Sequence, residues 1–262
     1  MRSNDPARSS HTPADPRPPA LTPRTERDLS WGLAALSLVA AALVAGLILE
    51  GVLDEEDLAA YDPAITSAAV EGRSPALTAV AQFFTFLGST IGIGTMAAAL
   101  LGWVWFRRRN PRLVGLLAGA MALALALTIV MKELVGRMRP PTEIVTGDPL
   151  ASFAFPSGHT LNSTVFFGLV ALLLMARTQS ILRQSLIVLA WFTLSVSVAL
   201  SRVYLGFHWM TDMLGGSAIG VAVLAATILT AHFLRDPRLV AEVSPFRDDV
   251  RRRRRATETP AG

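Results

Sequence analysis

The chain has 262 residues, of which 52% are hydrophobic and 17% are charged, and its formal net charge is +4. Average globular chains carry about 25% charged residues, and the charged residues here lie between long apolar runs. This composition excludes an ordinary soluble enzyme. The chain contains no Cys, which excludes disulfide scaffolds, thiol nucleophiles and Cys-ligated metal centres. Any chemistry must therefore come from His, Ser, Asp, Lys and Arg.

The first 30 residues are rich in Pro, Arg, Ser, Thr and Asp and contain few large apolar side chains. Such a segment cannot bury enough apolar surface to offset its ordering entropy, so residues 1–30 are predicted to be a disordered cytoplasmic tail. The apolar run 31–53 is long enough to cross a hydrocarbon core, which takes about 20 residues. The apolar region of a cleaved signal peptide is normally only about 7 to 15 residues. We therefore expect an uncleaved first span.

Five further apolar runs predict five more spans. They cover residues 79–106, 113–131, 160–176, 184–201 and 209–234. The predicted fold is therefore all-α, a polytopic membrane domain over residues 31–234 with six transmembrane helices. Residues 235–262 are predicted to be a basic cytoplasmic tail.

Two smaller patterns concern local structure. The Asp62-Pro63 pair is typical of a helix N-cap followed by proline, and it predicts a short surface helix within residues 63–72. Pairs of glycines four residues apart inside the spans predict close helix packing. These pairs are Gly88 with Gly92, Gly115 with Gly119, and Gly216 with Gly220.

The distribution of Lys and Arg predicts the orientation, because cytoplasmic flanks carry an excess of both. Basic residues precede the first span, follow the second, the fourth and the sixth, and so collect on one side. Both termini are then cytoplasmic, and segments 54–78, 132–159 and 202–208 face outward from the cell membrane. Basic residues in the outward segments 132–159 and 202–208 break this rule, and they need another role. They are Lys132, Arg137, Arg139 and Arg202.

Three of these cations predict an anion site. Lys132, Arg139 and Arg202 lie near one membrane face, and a guanidinium matches phosphate oxygens with two parallel hydrogen bonds. Ser157 and Gly158 stand just before a predicted helix, whose free N–H groups and positive dipole end favour an anion. The sequence therefore predicts a phosphate site at the extracytoplasmic face.

Two histidines near these cations predict phosphoryl chemistry. His208 and Asp212 are four residues apart at a helix start, which places them on one helix face. A carboxylate there can accept the Nδ1 proton of the imidazole and leave Nε2 free to attack phosphorus. His159 supplies a second imidazole, suited to protonate a leaving oxygen.

The complete pattern resembles the three-part signature of the type 2 phosphatidic acid phosphatase family. The matching stretches are Lys-x6-Arg-Pro from Lys132, Pro-Ser-Gly-His ending at His159, and Ser-Arg-x5-His-x3-Asp ending at Asp212. The resemblance implies a six-helix integral membrane lipid phosphatase in which His208 forms a phosphohistidine, Asp212 is its partner and His159 is the general acid. It implies a phosphate-binding set of Lys132, Arg139, Ser157, Gly158 and Arg202. It also implies catalysis without a metal or another cofactor.

The expected activity is hydrolysis of a lipid phosphomonoester or diphosphate, with an undecaprenyl diphosphate type of substrate ranked before phosphatidate. A lipid-linked phosphotransferase stays open, because its phosphoenzyme half-reaction is the same. An anion or phospholipid transporter is disfavoured, since transporters use broken helices or inverted repeats near the bilayer midplane. The basic run Arg251–Arg255 predicts attraction to anionic inner-leaflet lipid, and no nucleic-acid partner is expected.

Overall fold

The computed structural model of the chain describes the backbone of residues 23–244 and the side chains of residues 29–244. This part of the chain is helical and contains no β-strand. Its α-helices are α1 (Pro23–Asp54), α2 (Asp62–Glu71), α3 (Pro75–Leu87), α4 (Thr90–Trp103), α5 (Pro111–Val135), α6 (Gly158–Met175), α7 (Ile181–Tyr204), α8 (Met210–Phe233) and α9 (Pro237–Val243).

Six of these helices are long and apolar enough to cross a membrane, which confirms the predicted all-α polytopic fold. They are α1, α4 with its π-helical extension Val104–Arg108, α5, α6, α7 and α8. The apolar window of α6 is 67% buried and that of α8 is 50% buried, whereas the windows of α1 and α4 are each only 17% buried. Helices α6 and α8 therefore form the centre of the bundle, and α1 and α4 expose most of their apolar surface to the membrane.

The predicted continuous span 79–106 is wrong, because the chain breaks between α3 and α4. The Ser89 hydroxyl accepts a hydrogen bond from the Gly92 N–H at 3.0 Å and so starts a new helix. A Cβ at Gly92 would lie 2.3 Å from the Phe86 carbonyl oxygen, and a Cβ at Gly88 would lie 2.4 Å from Val198 Cγ1. The glycines at 88 and 92 therefore permit a tight break beside α7.

The predicted tail boundaries also need correction. Helix α1 begins at Pro23, so residues 23–30 are helical, and residues 1–22 lie outside the described part of the chain. The predicted basic tail contains α9, whose Leu239 and Val243 are buried against the bundle. Arg112 anchors the start of α9 through a 2.7 Å ion pair with Asp236. The run Arg251–Arg255 lies outside the described residues.

Both ends of the described chain lie on the same side of the bundle. The Ser30 hydroxyl in α1 and the Ser244 hydroxyl after α9 are hydrogen-bonded at 2.9 Å. An even number of spans requires this arrangement. The opposite end of the bundle carries α2, the segment between α5 and α6, and the turn between α7 and α8.

The short surface helix is confirmed as α2, although it begins one residue earlier than predicted. Asp62 is its first residue rather than its N-cap, and its side chain contacts α8.

The glycine pairs differ in their outcome. A Cβ at Gly216 would lie 2.9 Å from the Ser157 carbonyl oxygen, and one at Gly220 would lie 2.9 Å from Thr164 Cβ, so this pair allows close contact of α8 with α6, as predicted. The prediction is wrong for Gly115 and Gly119, because a Cβ at either position would meet nothing within 4 Å.

Candidate active site

A tight turn between α7 and α8 places His208 at the end of the bundle opposite the two chain ends. Gly206 has a φ of 80°, and a Cβ there would lie 2.6 Å from the Ile144 carbonyl oxygen, so a larger residue is excluded on both grounds. The N–H groups of Phe207 and His208 donate to the Arg202 carbonyl at 2.9 and 3.3 Å. The turn therefore continues the end of α7 and fixes His208 just before α8.

His208 and Asp212 form a buried pair. The imidazole Nδ1 lies 3.1 Å from Asp212 Oδ2, which also accepts the Trp209 N–H at 2.9 Å. Arg139 Nη1 lies 3.2 Å from His208 Nε2. Because a guanidinium can only donate, Nε2 is the acceptor and the neutral imidazole carries its proton on Nδ1. This tautomer is the one that leaves the Nε2 lone pair for a nucleophilic role.

The environment of His208 keeps the imidazole neutral. His208 is 2% exposed, and burial lowers its pKa to about 4 from the usual value of 6.5. The hydrogen bond and charge of Asp212 act in the opposite direction, while the charges of Arg139 and Arg202 add to the lowering of the pKa. At neutral pH the side chain is therefore an uncharged base with a defined tautomer.

Three predicted phosphate-binding cations lie around this pair. Lys132 Nζ donates to the Phe153 carbonyl, and Arg139 donates to the carbonyls of Ser152 at 2.5 Å and Phe153 at 3.2 Å. These two side chains thus rest on the same short stretch of backbone. The Arg202 guanidinium lies behind them, 4.0 Å from the centroid of the Phe207 ring.

Arg202 is buried in an unusual way. Its Nη1 donates to the Thr85 hydroxyl at 2.5 Å, whereas its buried Nε has no hydrogen-bond partner. A buried donor without a partner is costly. Among the described residues Arg202 is therefore a cation with donor capacity left for an anion.

The predicted Ser157, Gly158 and His159 lie at the start of α6. The Ser157 hydroxyl is fully buried and accepts the Thr160 N–H at 3.5 Å, so its position here is that of a helix cap rather than of an open phosphate ligand. Gly158 lies against α5, where a Cβ would be 2.9 Å from Thr128 Cγ2. The N–H groups of the first helical turn have no carbonyl partner within the helix, and they can bind an anion.

A cavity of about 470 Å³ joins these groups to the membrane-facing helices. Its polar end is lined by Lys132, Arg139, His159 and His208. Its walls are apolar side chains of α4 and α5, namely Ile93, Ala97, Met121, Ala122 and Leu125. Such a volume lies within the range of small-molecule sites, about 300 to 1,000 Å³. The cavity can hold a molecule with an anionic end and an apolar chain.

Sequence reasoning missed three residues behind the site. Arg137 donates to Asp212 Oδ1 at 2.6 Å and to Asp62 Oδ2 at 2.7 Å, and Thr211 contacts both Arg137 and Asp62. Arg137 had a signal, since it is one of the basic residues on the outward side. Asp62 had no such signal, because nothing in the sequence links it to Asp212.

We predict that His208 titrates far below the usual range of histidine. Because burial disfavours the imidazolium form, the His208 ring resonances of ¹⁵N-histidine-labelled protein should keep the neutral Nδ1–H pattern from pH 7 to pH 5, with a midpoint near the pKa of about 4. The spectrum of the His208→Gln variant assigns the signal. A midpoint near 6.5 would contradict the buried environment.

Comparisons with known proteins agree on one family. The PAP2 superfamily model matches residues 113–236. Phosphatidylglycerophosphatase B of Bacillus subtilis is 31% identical over 163 residues, which are 61% of this chain and 78% of that protein. Decaprenylphosphoryl-5-phosphoribose phosphatase of Mycobacterium tuberculosis is 34% identical over 163 residues, 61% of this chain and 82% of that protein.

A solved structure gives the same answer for the fold. The crystal structure of a transmembrane PAP2 type phosphatidylglycerolphosphate phosphatase from Bacillus subtilis superposes with a TM-score of 0.66 at 25% identity, over 77% of this chain and 98% of the other. The residues that the family model matches include the buried His208–Asp212 pair and the cations around it. The chain belongs to the PAP2 superfamily and is a membrane phosphatase.

Proposed function

We propose that the chain hydrolyses a phosphomonoester or diphosphate on a membrane lipid through a phosphohistidine at His208, without a metal ion. The observation that carries this proposal is the neutral His208, whose Nδ1 donates to the buried Asp212 while Nε2 faces a cavity with cations at one end and apolar walls at the other. A nucleophile with an orienting carboxylate and anion-binding donors is the arrangement that covalent phosphoryl transfer needs.

The chemical steps follow from this geometry. The Nε2 lone pair of His208 forms a bond to phosphorus while the bond from phosphorus to the leaving oxygen breaks, and His159 gives that oxygen a proton. Water activated by the deprotonated His159 then attacks phosphorus and releases phosphate from Nε2. Lys132, Arg139 and Arg202 stabilise the charge on the equatorial oxygens, and the Nδ1 proton remains bonded to Asp212. Before the first step, the substrate must displace Arg139 from Nε2.

The carboxylate nearest to His208 already accepts hydrogen bonds from the protein, which favours a mechanism without a metal. Asp212 accepts from His208, Trp209 and Arg137. Within the described residues no group of three or more His, Asp or Glu side chains has the arrangement of a metal site. The cations of the chain itself can neutralise the phosphate in place of a metal.

The apolar walls of the cavity support a lipid substrate. The relatives carry names of enzymes for a diacyl lipid and for a polyprenyl lipid, and both chain types suit walls built from Ile93, Met121 and Leu125. We rank undecaprenyl diphosphate and similar polyprenyl substrates before phosphatidate. The acceptor in the second step is water in this proposal, and a lipid-linked phosphotransferase would use another hydroxyl there.

We further propose that the site faces outward from the cell membrane and that both termini are cytoplasmic. Ser30 and Ser244 share the end of the bundle opposite His208, and this end also carries the basic side chains Arg108 and Arg112. The cytoplasmic excess of basic residues then fixes the orientation.

A transporter was disfavoured because transporters use broken helices. The chain does break between α3 and α4, so this argument no longer holds, and the case for an enzyme rests on the site and the relatives.

The two histidines should differ in a way that tests their roles. His208→Ala should abolish phosphoenzyme formation as well as turnover, because no other side chain forms the bond to phosphorus. His159→Ala should lose about 10²- to 10⁴-fold in kcat on a lipid phosphate. Its rate of phosphoenzyme formation should fall less on p-nitrophenyl phosphate than on the lipid, because the p-nitrophenolate leaving group needs no proton. Labelling with ³²P-substrate in EDTA, quenched in alkaline detergent because a phosphohistidine hydrolyses in acid, measures phosphoenzyme formation, and phosphate release measures kcat.

His232, which lies near the other end of α8, supplies the matched control, and His232→Ala should leave labelling unchanged. Labelling that persists in His208→Ala would overturn the nucleophile assignment. Equal losses of phosphoenzyme formation rate in His159→Ala on both substrates would remove His159 as the acid.

The cavity gives a separate test of the lipid substrate. Ala97→Phe fills the apolar part, so kcat/KM on undecaprenyl diphosphate or phosphatidate should fall at least about 10-fold, whereas kcat/KM on p-nitrophenyl phosphate should change by less than about 2-fold. Ala98→Phe is the matched control, because Ala98 is an exposed neighbour on α4 outside the cavity. An unchanged rate on both lipids would mean that the lipid chain binds elsewhere.

A further inference from the structure

Behind the catalytic pair, one guanidinium lies between two buried carboxylates. Arg137 Nη1 lies 2.6 Å from Asp212 Oδ1, and Nη2 lies 2.7 Å from Asp62 Oδ2. Asp212 is 0% exposed and Asp62 is 1% exposed. The signature residues of the site include neither Arg137 nor Asp62, and the chemical steps above use neither. Burying a charged group costs free energy, so the second carboxylate beside Arg137 needs a structural or functional reason.

Asp62 is also bonded to the first turn of α8. Its Oδ1 accepts the Thr211 N–H at 3.0 Å, and its Oδ2 accepts the Thr211 hydroxyl. The first N–H groups of a helix lack partners within the helix, and a carboxylate there is favoured by the helix dipole. Helix α2, which lies outside the six spans, thus holds the start of the helix that carries Asp212.

The charges of the three side chains explain why two carboxylates are present. Arg137 paired with Asp212 alone would cancel the negative charge that His208 needs, because the imidazole becomes more positive when Nε2 bonds to phosphorus. Asp62 adds a second negative charge, so the group of Asp62, Arg137 and Asp212 keeps a net charge of −1. The two hydrogen bonds from Arg137 and Trp209 also hold the carboxylate with Oδ2 facing Nδ1.

We infer that Asp62 and Arg137 are positioning residues for the nucleophile, which orient Asp212 and preserve its negative charge toward His208. This inference rests on the proposed phosphohistidine function. Neither residue lines the cavity that contains His159 and His208, and both line a neighbouring cavity that also reaches Arg139. Arg137 is hydrogen-bonded to Asp212 and to Asp62, so the inferred effect of both residues on His208 passes through Asp212.

The test compares Asp62→Asn in two backgrounds by single-turnover phosphoenzyme formation. The amide keeps the shape and an oxygen for the Thr211 N–H but removes the charge, so the rate should fall about 10- to 100-fold with KM within about 3-fold of the original. In the Asp212→Asn background the same change should alter the rate by less than about 3-fold, because the path to His208 is already broken. Asp62→Glu should recover part of the rate, since it restores the charge.

The control is Glu143→Gln, an exposed carboxylate change on the same side of the bundle, and it should leave the rate unchanged. Equal losses from Asp62→Asn in both backgrounds would overturn the inference, and so would an unchanged rate in the Asp62→Asn single variant. If Asp62→Asn does not yield folded protein, Arg137→Lys in the same two backgrounds replaces it, with the same expected loss of effect in Asp212→Asn. Full phosphoenzyme formation in Asp212→Asn or His208→Ala alone would refute the proposed function instead.

Discussion

The hydrogen bond between His208 Nδ1 and the buried carboxylate of Asp212 is the interaction on which the site depends. It selects the tautomer that leaves Nε2 unprotonated, and it compensates part of the cost of burying both side chains. The geometry of the pair is set by the fold, because Gly206 forms the turn after α7 and α8 begins at Met210, two residues after His208. The end of α7 and the start of α8 therefore determine where His208 and Asp212 lie.

Lys132 and Arg139 donate hydrogen bonds to protein acceptors that a phosphate can replace. Lys132 and Arg139 donate to backbone carbonyls of residues 152–153, and Arg139 also lies against His208 Nε2, the proposed nucleophile. A phosphate oxygen is a stronger acceptor for a guanidinium than a neutral imidazole, since both partners are then charged. In the proposed mechanism, substrate binding therefore frees His208 Nε2 and brings the donors of Lys132 and Arg139 to the phosphate in one event. In the same proposal Arg202, whose buried Nε has no hydrogen-bond partner in the described structure, supplies a further donor.

The sequence predicted six spans and a set of candidate site residues that the fold brings to one side, because both depend on local patterns. Apolar runs determine spans, and each signature motif lies at a helix end that the fold brings to one side. The break at Gly88 was missed because apolar residues continue on both sides of it. The pairing of Arg137 with Asp62 and Asp212 was missed because it joins residues 75 positions apart on either side, and no local spacing encodes it.

Vanadate provides the most direct measurement, because it adopts the five-coordinate shape of phosphorus during transfer. A structure of the vanadate complex in EDTA should show vanadium bonded to His208 Nε2 and Arg139 moved from Nε2 to the vanadate oxygens. Lys132 should leave the Phe153 carbonyl for the same ligand. Inhibition by vanadate with Arg139 still on Nε2, or with vanadate bound away from His208, would contradict the account.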